Sequence, residues 1–386
     1  MSTWRPQLYE KLGVVQNINP TTLSNAIAIG KAVIAVDPQL PPIFTLKHLS
    51  QLSGVDYRYL RTVVARDDPE PYRFFSIRKR SAGANENSFR LICVPAPELM
   101  QVQRWISSRI LSRGRPHWAS FAYAPGTSIK DAAKLHCGCT WLIKLDVQRF
   151  FESISEIAVY RVFLNFGYQP LMAFELTRLC TRLGTLTATR KRAQWQAGGD
   201  AYPVISRYQS KRIGHLPQGA PTSPMLSNLA MLALDRDVAK IAEDNGLQYT
   251  RYADDIALST CAKSFRREQA AVIIGLVYRA MARQGLSPNV TKTRVISPGA
   301  RKIVLGLLVD RGEPRLTREF KSRIRQHIYY LRHAEIGPAL HAVHRGFAST
   351  YSLKDHVLGL VRFARHVDPK FAQHCEDQLA AVSWPP

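Results

Sequence analysis

Along residues 44–66, FTLKHLSQLSGVDYRYLRTVVAR, apolar side chains recur every three or four positions. Leu46, Leu49 and Leu52 line one helix, Gly54 turns the chain, and Tyr59, Leu60 and Val63 line the next. Such a unit has the shape of one that enters a DNA major groove. Two amphipathic helices more often pack on each other, and packing is the expectation here. Thr22–Val36 is a further helix candidate. Between residues 72 and 95 the period changes to two: YRFFSIRKR and FRLICVPAP read as strands joined by the polar SAGANENS, a hairpin. Glu98–Leu111 returns to helical spacing. Thr140–Val147, TWLIKLDV, is apolar until Asp146 and reads as a buried central strand. FFESISEIAVYRVFLNFG follows as helix, with Ser153 and Glu156 as a capping box and Gly167 as the stop. Residues 184–215 are polar, basic and glycine-rich, a long loop or insertion. Thr222–Ala242 predicts one helix with Ser223 as N-cap and Pro224 at its first position. YTRYADDIALST (249–260) reads as a hairpin. A helix at 265–284, strands near 292–297 and 302–309, and helices from Arg315 to the end complete an α+β pattern.

Composition narrows the partners. The chain has 386 residues, 46% apolar and 21% charged, which predicts a folded protein of two or three domains. Lys and Arg number 53 against 29 Asp and Glu, a net charge of +24, and the usual partner of such an excess is a nucleic acid. Six scattered cysteines do not form a disulfide framework. His136, Cys137 and Cys139 lie close together, but no second pair stands at zinc-finger spacing, so packing is expected there rather than metal. No leader-like opening and no run of about 18 apolar residues is present, which predicts a cytosolic protein away from membranes.

The chemistry centres on Asp254 and Asp255. Aspartate is a poor strand former and two adjacent like charges repel, so a turn suits them better than a strand interior. Their β-prone flanks hold both carboxylates on a rigid scaffold. Hard oxygen ligands suit Mg²⁺, with Mn²⁺ as a substitute. Asp146, at the end of a buried strand, needs a partner of its own. Were that strand beside the hairpin, three carboxylates would hold two Mg²⁺ ions about 4 Å apart, one for an attacking 3′-hydroxyl and one for the leaving pyrophosphate. Nucleases share this chemistry, so the carboxylates alone leave the reaction open.

Five segments resemble reverse transcriptases, in family order over roughly residues 70–310, and are most similar to the bacterial retron-type enzymes. LIKLDVQRFF resembles the palm strand with the first catalytic aspartate, LPQGAPTSPMLSN (216–228) the segment under template and nucleotide, and YADD (252–255) the polymerase box. GLSPNVTKT (285–293) and KIVLGLLVD (302–310) resemble the two segments that follow, the second being the primer grip. The resemblance implies a right-hand polymerase: an N-terminal helical region at 1–70, fingers at 71–139, palm at 140–310 and a helical thumb at 311–386. It implies metal binding by Asp146, Asp254, Asp255 and the Val147 backbone carbonyl. It makes Phe151 the bulky side chain that excludes a 2′-hydroxyl, which favours dNTPs, with Phe150 the competing candidate. Gln218 falls near the incoming nucleotide. Arg78, Lys79, Arg80 and Arg90 match the basic fingers hairpin that grips the triphosphate, Lys79 and Arg90 foremost. Lys292 is either a general acid for pyrophosphate or a charge partner.

Two retron hallmarks are half present. Ala132-Ala133-Lys134-Leu135-His136 stands where those enzymes carry Asn-Ala-x-x-His, and Val304-Leu305-Gly306 where they carry Val-Thr-Gly. The departures keep open a sibling, a defence-associated reverse transcriptase that copies its own RNA. A group II intron enzyme fits less well, with about 75 residues after 310. Either sibling implies a structured non-coding RNA template, a DNA product, an anti-phage role and an effector protein as candidate partner. Charge adds candidate RNA surfaces: Arg190, Lys191 and Arg192; Arg318, Lys321 and Arg325 on a basic amphipathic helix; and residues 109–118. Such a helix also suits a membrane surface, but the overall charge favours a phosphate backbone.

Overall fold

The computed structural model describes residues 4–67, 70–78, 89–184 and 212–385. In chain order the elements begin with α1 (Pro6–Val15), α2 (Pro20–Val36), α3 (Leu46–Ser53) and α4 (Tyr57–Ala65). Next come β1 (Tyr72–Arg78), β2 (Phe89–Pro95), α5 (Pro97–Arg109), α6 (Ile129–Lys134) and β3 (Trp141–Asp146). They are followed by α7 (Phe150–Ser153), α8 (Glu156–Asn165), α9 (Pro170–Cys180), α10 (Ser223–Ala230) and α11 (Leu232–Asp244). Then come β4 (Gln248–Tyr252), β5 (Asp255–Thr260), α12 (Arg267–Arg283), β6 (Arg294–Ile296), β7 (Ile303–Val304), β8 (Leu307–Leu308) and β9 (Arg315–Leu316). The chain closes with α13 (Arg318–Arg332), α14 (Gly337–His344), α15 (Thr350–Val367) and α16 (Pro369–Ala380).

Contacts gather these elements into two compact units. One comprises Met1–Pro125, Asp146–Val238 and Val277–Asn289; the other comprises Gly126–Leu145, Ala239–Leu276 and Val290–Pro386. In the first, α3 and α4 are two packed helices, as expected. Thr45 and Asp56 accept the His48 and Tyr59 N–H groups as N-caps, and Gly54 turns the chain at φ +70°. Leu49, Leu60 and Val63 are buried, each burial contributing roughly 1.5–3 kcal/mol. The Arg178 guanidinium of α9 donates to the Val64 carbonyl, so α4 is committed to the protein interior rather than to a groove. β1 and β2 pair antiparallel from Tyr72↔Pro95 to Arg78↔Phe89, the expected hairpin.

The second unit holds the sheet β4-β5-β3-β6 and the small sheet β7-β8-β9. Leu142, Val304 and Leu307 share one core with Ile324, Ile328, Leu353, Val357 and Val361 of the C-terminal helices. His136 is fully buried, its two ring nitrogens each 2.7 Å from a hydroxyl, Ser259 on β5 and Thr250 on β4. Cys139 is buried in the same core. His136 and Cys139 are thus packed into the protein interior, as expected.

Several local expectations are corrected. The α8 cap is Ser155, which accepts from Ala158 N–H; Ser153 instead donates to the Gln148 and Arg149 carbonyls. Glu156 does not close a capping box, because its carboxylate is claimed by Arg66 and Arg178. Ser223 does not cap α10: its hydroxyl donates to the Pro217 carbonyl, 2.6 Å, holding the preceding loop. The single helix expected over 222–242 is two, broken at Met231. The strand expected at 302–309 is a two-residue hairpin, with Val304 opposite Leu307 and both Leu305 (φ +50°) and Gly306 (φ +83°) left-handed. Two positive φ values in sequence suit the twist of a tight hairpin. Gly167 does end α8, at φ +83°.

Candidate active site

The β4–β5 hairpin closes on the pair Tyr252↔Asp255, which leaves Ala253 and Asp254 as its two turn residues. Ala253 sits at φ +55°, where an L-residue is strained by about 1 kcal/mol and glycine is the usual choice. Arg251, fully buried on β4, donates Nη1–H to the Ala253 carbonyl at 3.1 Å. A buried guanidinium thus braces the turn from within the strand that leads into it. Asp254 is half-buried and Asp255 exposed.

Beside this hairpin lies β3. Thr140, just before β3, donates its N–H to the carbonyl of Thr260, the last residue of β5, at 2.9 Å. The two strands therefore run antiparallel, β5 ending where β3 begins and β3 running on to its own C-terminal end. That end is Asp146, 5% exposed. Its backbone is held in turn: the Asp146 carbonyl accepts from Asn289 N–H (2.7 Å), Gln148 N–H donates to the Ser287 carbonyl (2.8 Å), and buried Val147 bridges to Pro288.

The first unit carries Arg90, Phe151 and Gln218. The Gln218 carbonyl accepts from Cys93 N–H at 2.7 Å, which sews its loop to β2. Gly219 (φ +113°) is required there, since a Cβ would stand 2.9 Å from Ile92 and 3.0 Å from the Cys93 carbonyl. Arg90 lies exposed on the same strand, opposite Ile77. Phe150 is buried and Phe151 half-buried, so of the two it is Phe151 that presents a ring outward. Its centroid is 5.4 Å from Phe150 and 6.3 Å from Tyr123.

An ion cluster fixes the approach to Gln218. Glu156, at the start of α8, pairs with Arg66 (3.2 Å) and Arg178 (2.5 Å) and accepts the Gly214 N–H (2.6 Å). Burial would raise its carboxyl, but the two guanidiniums and the Gly214 N–H together outweigh that and hold it below the usual value. Glu70 binds Arg182 (2.7 Å) and the Leu183 N–H (2.6 Å) in the same way.

The second unit carries Asp254, Asp255, Lys292 and the basic helix. Lys292 is exposed in the short turn Val290–Lys292. On α13, Arg318 and Arg325 are exposed, while Lys321 is paired with Asp368 at 2.6 Å. These three, with Arg315 and Lys370, line a cavity of about 690 Å³. Lys79, Arg190, Lys191 and Arg192 lie outside the described residues. Sequence reasoning passed over Arg251 and Tyr123; the available signal for Arg251 was a cation inside a β-prone run, immediately before the acidic turn.

The donor set fits a hard divalent cation by chemistry: aspartate oxygens without sulfur or imidazole. Among the described residues no group of three or more His, Cys, Asp or Glu side chains is placed so as to hold a metal ion. Mg²⁺ does not require such a group, since it commonly takes one or two carboxylates and completes its shell with water and substrate phosphates.

Comparison with known proteins agrees with the segments read above. A family model described as reverse transcriptase (RNA-dependent DNA polymerase) matches residues 77–331. The chain belongs to the reverse transcriptase family and is an RNA-directed DNA polymerase of the retron type. It is 28% identical to the retron Ec86 reverse transcriptase of Escherichia coli over 331 residues, 86% of this chain and 87% of that one. It is 33% identical to the retron Mx162 reverse transcriptase of Myxococcus xanthus over 250 residues, 63% of this chain and 48% of that one. Among solved structures, a telomerase from Candida albicans aligns over 88% of this chain and 61% of its own, at 13% identity and a TM-score of 0.40. The right-hand polymerase fold expected from the sequence accords with the family match and with the mixed helices and sheets observed. Among the described residues no helix is long and apolar enough to cross a membrane.

Proposed function

We propose that this enzyme copies a dedicated structured non-coding RNA into DNA in the bacterial cytoplasm, as part of anti-phage defence, with Asp146, Asp254 and Asp255 as its catalytic carboxylates. What supports the assignment is the geometry at each position: Asp146 ends a buried strand whose backbone is tied to Asn289, and Asp254 and Asp255 stand at a hairpin turn braced by Arg251. When bound at these side chains and the Val147 carbonyl, two Mg²⁺ ions, or Mn²⁺ in their place, would polarise the primer 3′-hydroxyl and neutralise the leaving pyrophosphate. The chain's own contribution is to hold the carboxylates still: Arg251 braces the turn, and Asn289 and Ser287 bind the backbone on either side of Val147.

In this reading Arg90 and Lys79 meet the triphosphate, Gln218 lies along the nucleotide, and Phe151 closes the space a 2′-hydroxyl would need. Lys292 serves the pyrophosphate as an acid or as a countercharge. Arg318, Lys321 and Arg325, with Arg190, Lys191 and Arg192, take nucleic-acid phosphates. Support for RNA comes from the net charge of +24 and from relatives named as retron reverse transcriptases. Those relatives favour RNA-linked DNA as product over the repeated or untemplated synthesis of the defence-associated sibling. The departures from the retron pattern at Ala132 and Leu305 are what keeps that sibling open. An effector protein is a candidate further partner.

Purified protein with its co-purifying RNA, Mg²⁺ and dNTPs should make DNA. Asp254→Ala with Asp255→Ala should abolish synthesis while RNA binding survives. DNA synthesis persisting in the double variant would sink the assignment.

A further inference from the structure

We propose that Tyr123 is a second specificity-determining residue for the nucleotide sugar, acting by stiffening the Phe151 wall. The inference rests on Phe151 being the sugar gate. Tyr123 is a non-glycine residue at φ +58° with its ring 45% exposed. Residues held in this sparsely populated region persist only where the surroundings over-determine them, and they cluster at functional sites. The surroundings here are plain. Asn228 of α10, itself fully buried, donates Nδ2–H to the Ala122 carbonyl at 2.6 Å and accepts the Ser120 hydroxyl at 2.8 Å. The residues just before Tyr123 are therefore tied to the helix that follows Gln218. The strained backbone delivers the Tyr123 ring to within 6.3 Å of Phe151, tilted by 49°.

Phe151 sits on a helix of one turn, α7, which on its own does little to fix an aromatic rotamer. It is flanked by two rings: Phe150, edge-on at 5.4 Å, and Tyr123. Rejecting a single additional oxygen demands such support. A wall that yields by a few tenths of an ångström accommodates the hydroxyl instead of clashing with it. Phe150 is buried and backs the ring from the interior; Tyr123 is the support on the exposed side.

The test measures kcat/KM for a dNTP and its matching NTP in the parent, Phe151→Ala, Tyr123→Gly, Tyr123→Phe and the Phe151→Ala/Tyr123→Gly double variant. Glycine suits the left-handed backbone, so Tyr123→Gly removes the ring without adding strain. It should lower the dNTP preference by roughly threefold to tenfold, the scale of a contact between two aromatic rings. The change should appear as a lower KM for the NTP. Tyr123→Phe should keep the parent preference. The double variant should be no less selective than Phe151→Ala, because Tyr123 works through that ring. Parent-like preference in Tyr123→Gly, alongside a lowered preference in Phe151→Ala, overturns the role of Tyr123. So does a double variant whose loss is the product of the two single losses. An unchanged preference in Phe151→Ala removes the gate itself, and the inference with it.

Discussion

Glu156 and Asp255 are carboxylates in opposite settings. Glu156 is buried, with two guanidiniums and a backbone N–H around it, and its site is complete within the protein. Asp255 is exposed at the first residue of β5, one position past a strained turn. A carboxylate whose lone pairs are filled by arginine holds chain segments together and has nothing left for a ligand. One at the exposed rim of a rigid hairpin keeps its geometry and its access together. Arg251, next to the aspartate turn, donates to the backbone carbonyl of Ala253 and so braces that turn.

Exchanging the charge at each site should separate them most sharply. Asp255→Asn should cut DNA synthesis by several kcal/mol of barrier, on the order of a thousandfold, with denaturant stability within about 0.5 kcal/mol of the parent. Glu156→Gln should leave two buried guanidiniums uncompensated and lower stability by about 3–5 kcal/mol. Chemical denaturation and single-turnover synthesis on both variants check the pair. A stable Glu156→Gln protein would mean that the cluster is not what holds the Gly214 segment.

Acid should reach the structural groups in a defined order. Burial lowers His136 to about 4 from 6.5, so its stabilising neutral form is fully present above pH 6.5 and is lost as pH falls towards 4. The full contribution is roughly 3 kcal/mol. Glu156 follows: its carboxyl is held below 4.5, so its contribution is intact above that pH and disappears as pH falls further, through its lowered value. His136→Phe should shrink the first of these two phases in a plot of stability against pH, where His327, lowered to about 4 by burial and by the neighbouring His341, also contributes, and leave the second.

How much of this was legible in the sequence follows from where each signal is stored. The YADD hairpin, the buried strand ending at Asp146 and the helix pair at 44–66 are local patterns, and the fold keeps all three. The α8 cap was misplaced because Ser153 and Ser155 are both acceptable cap residues. What decides between them is Glu156, drawn away by Arg66, which lies 90 positions earlier in the chain. The hairpin at Leu305–Gly306 was hidden inside an apolar run that reads as continuous strand. Arg251 is a cation inside a β-prone run with no local pattern that marks it as buried, yet β4 is buried on both faces from Tyr249 to Arg251. Tyr123 had no pattern at all, because its role is a backbone dihedral and a ring contact with a residue far along the chain.

Arg251 lets the comparison be pressed further. Arg251→Met keeps much of the buried volume and removes the donor to Ala253. It should cost about 1–3 kcal/mol for the unsatisfied carbonyl and relax the turn. Synthesis should fall more than RNA binding, since the aspartates move while the basic helix α13 does not. Equal losses in both would assign Arg251 to general stability alone.

The smallest effect concerns the two tight turns of the second unit. One places Leu305 and Gly306 in the left-handed region, the other places Ala253 there. Glycine at 306, exposed and with open space around it, removes the strain at one position of its turn, while Leu305 keeps it at the other. At 253 the chain retains a methyl group and the strain. Ala253→Gly should relieve up to about 1 kcal/mol in the folded state, offset by the greater freedom of glycine in the unfolded chain, so that stability changes little in either direction. Activity should nevertheless fall by a few-fold, because a glycine in the turn widens the range of positions open to Asp254 and Asp255. Gly306→Ala should show the reverse: a stability loss of about 1 kcal/mol from the new left-handed side chain, with synthesis per folded molecule unchanged. Were Ala253→Gly as active as the parent, the alanine would be incidental, and the rigidity of the aspartate turn would rest on Arg251 alone.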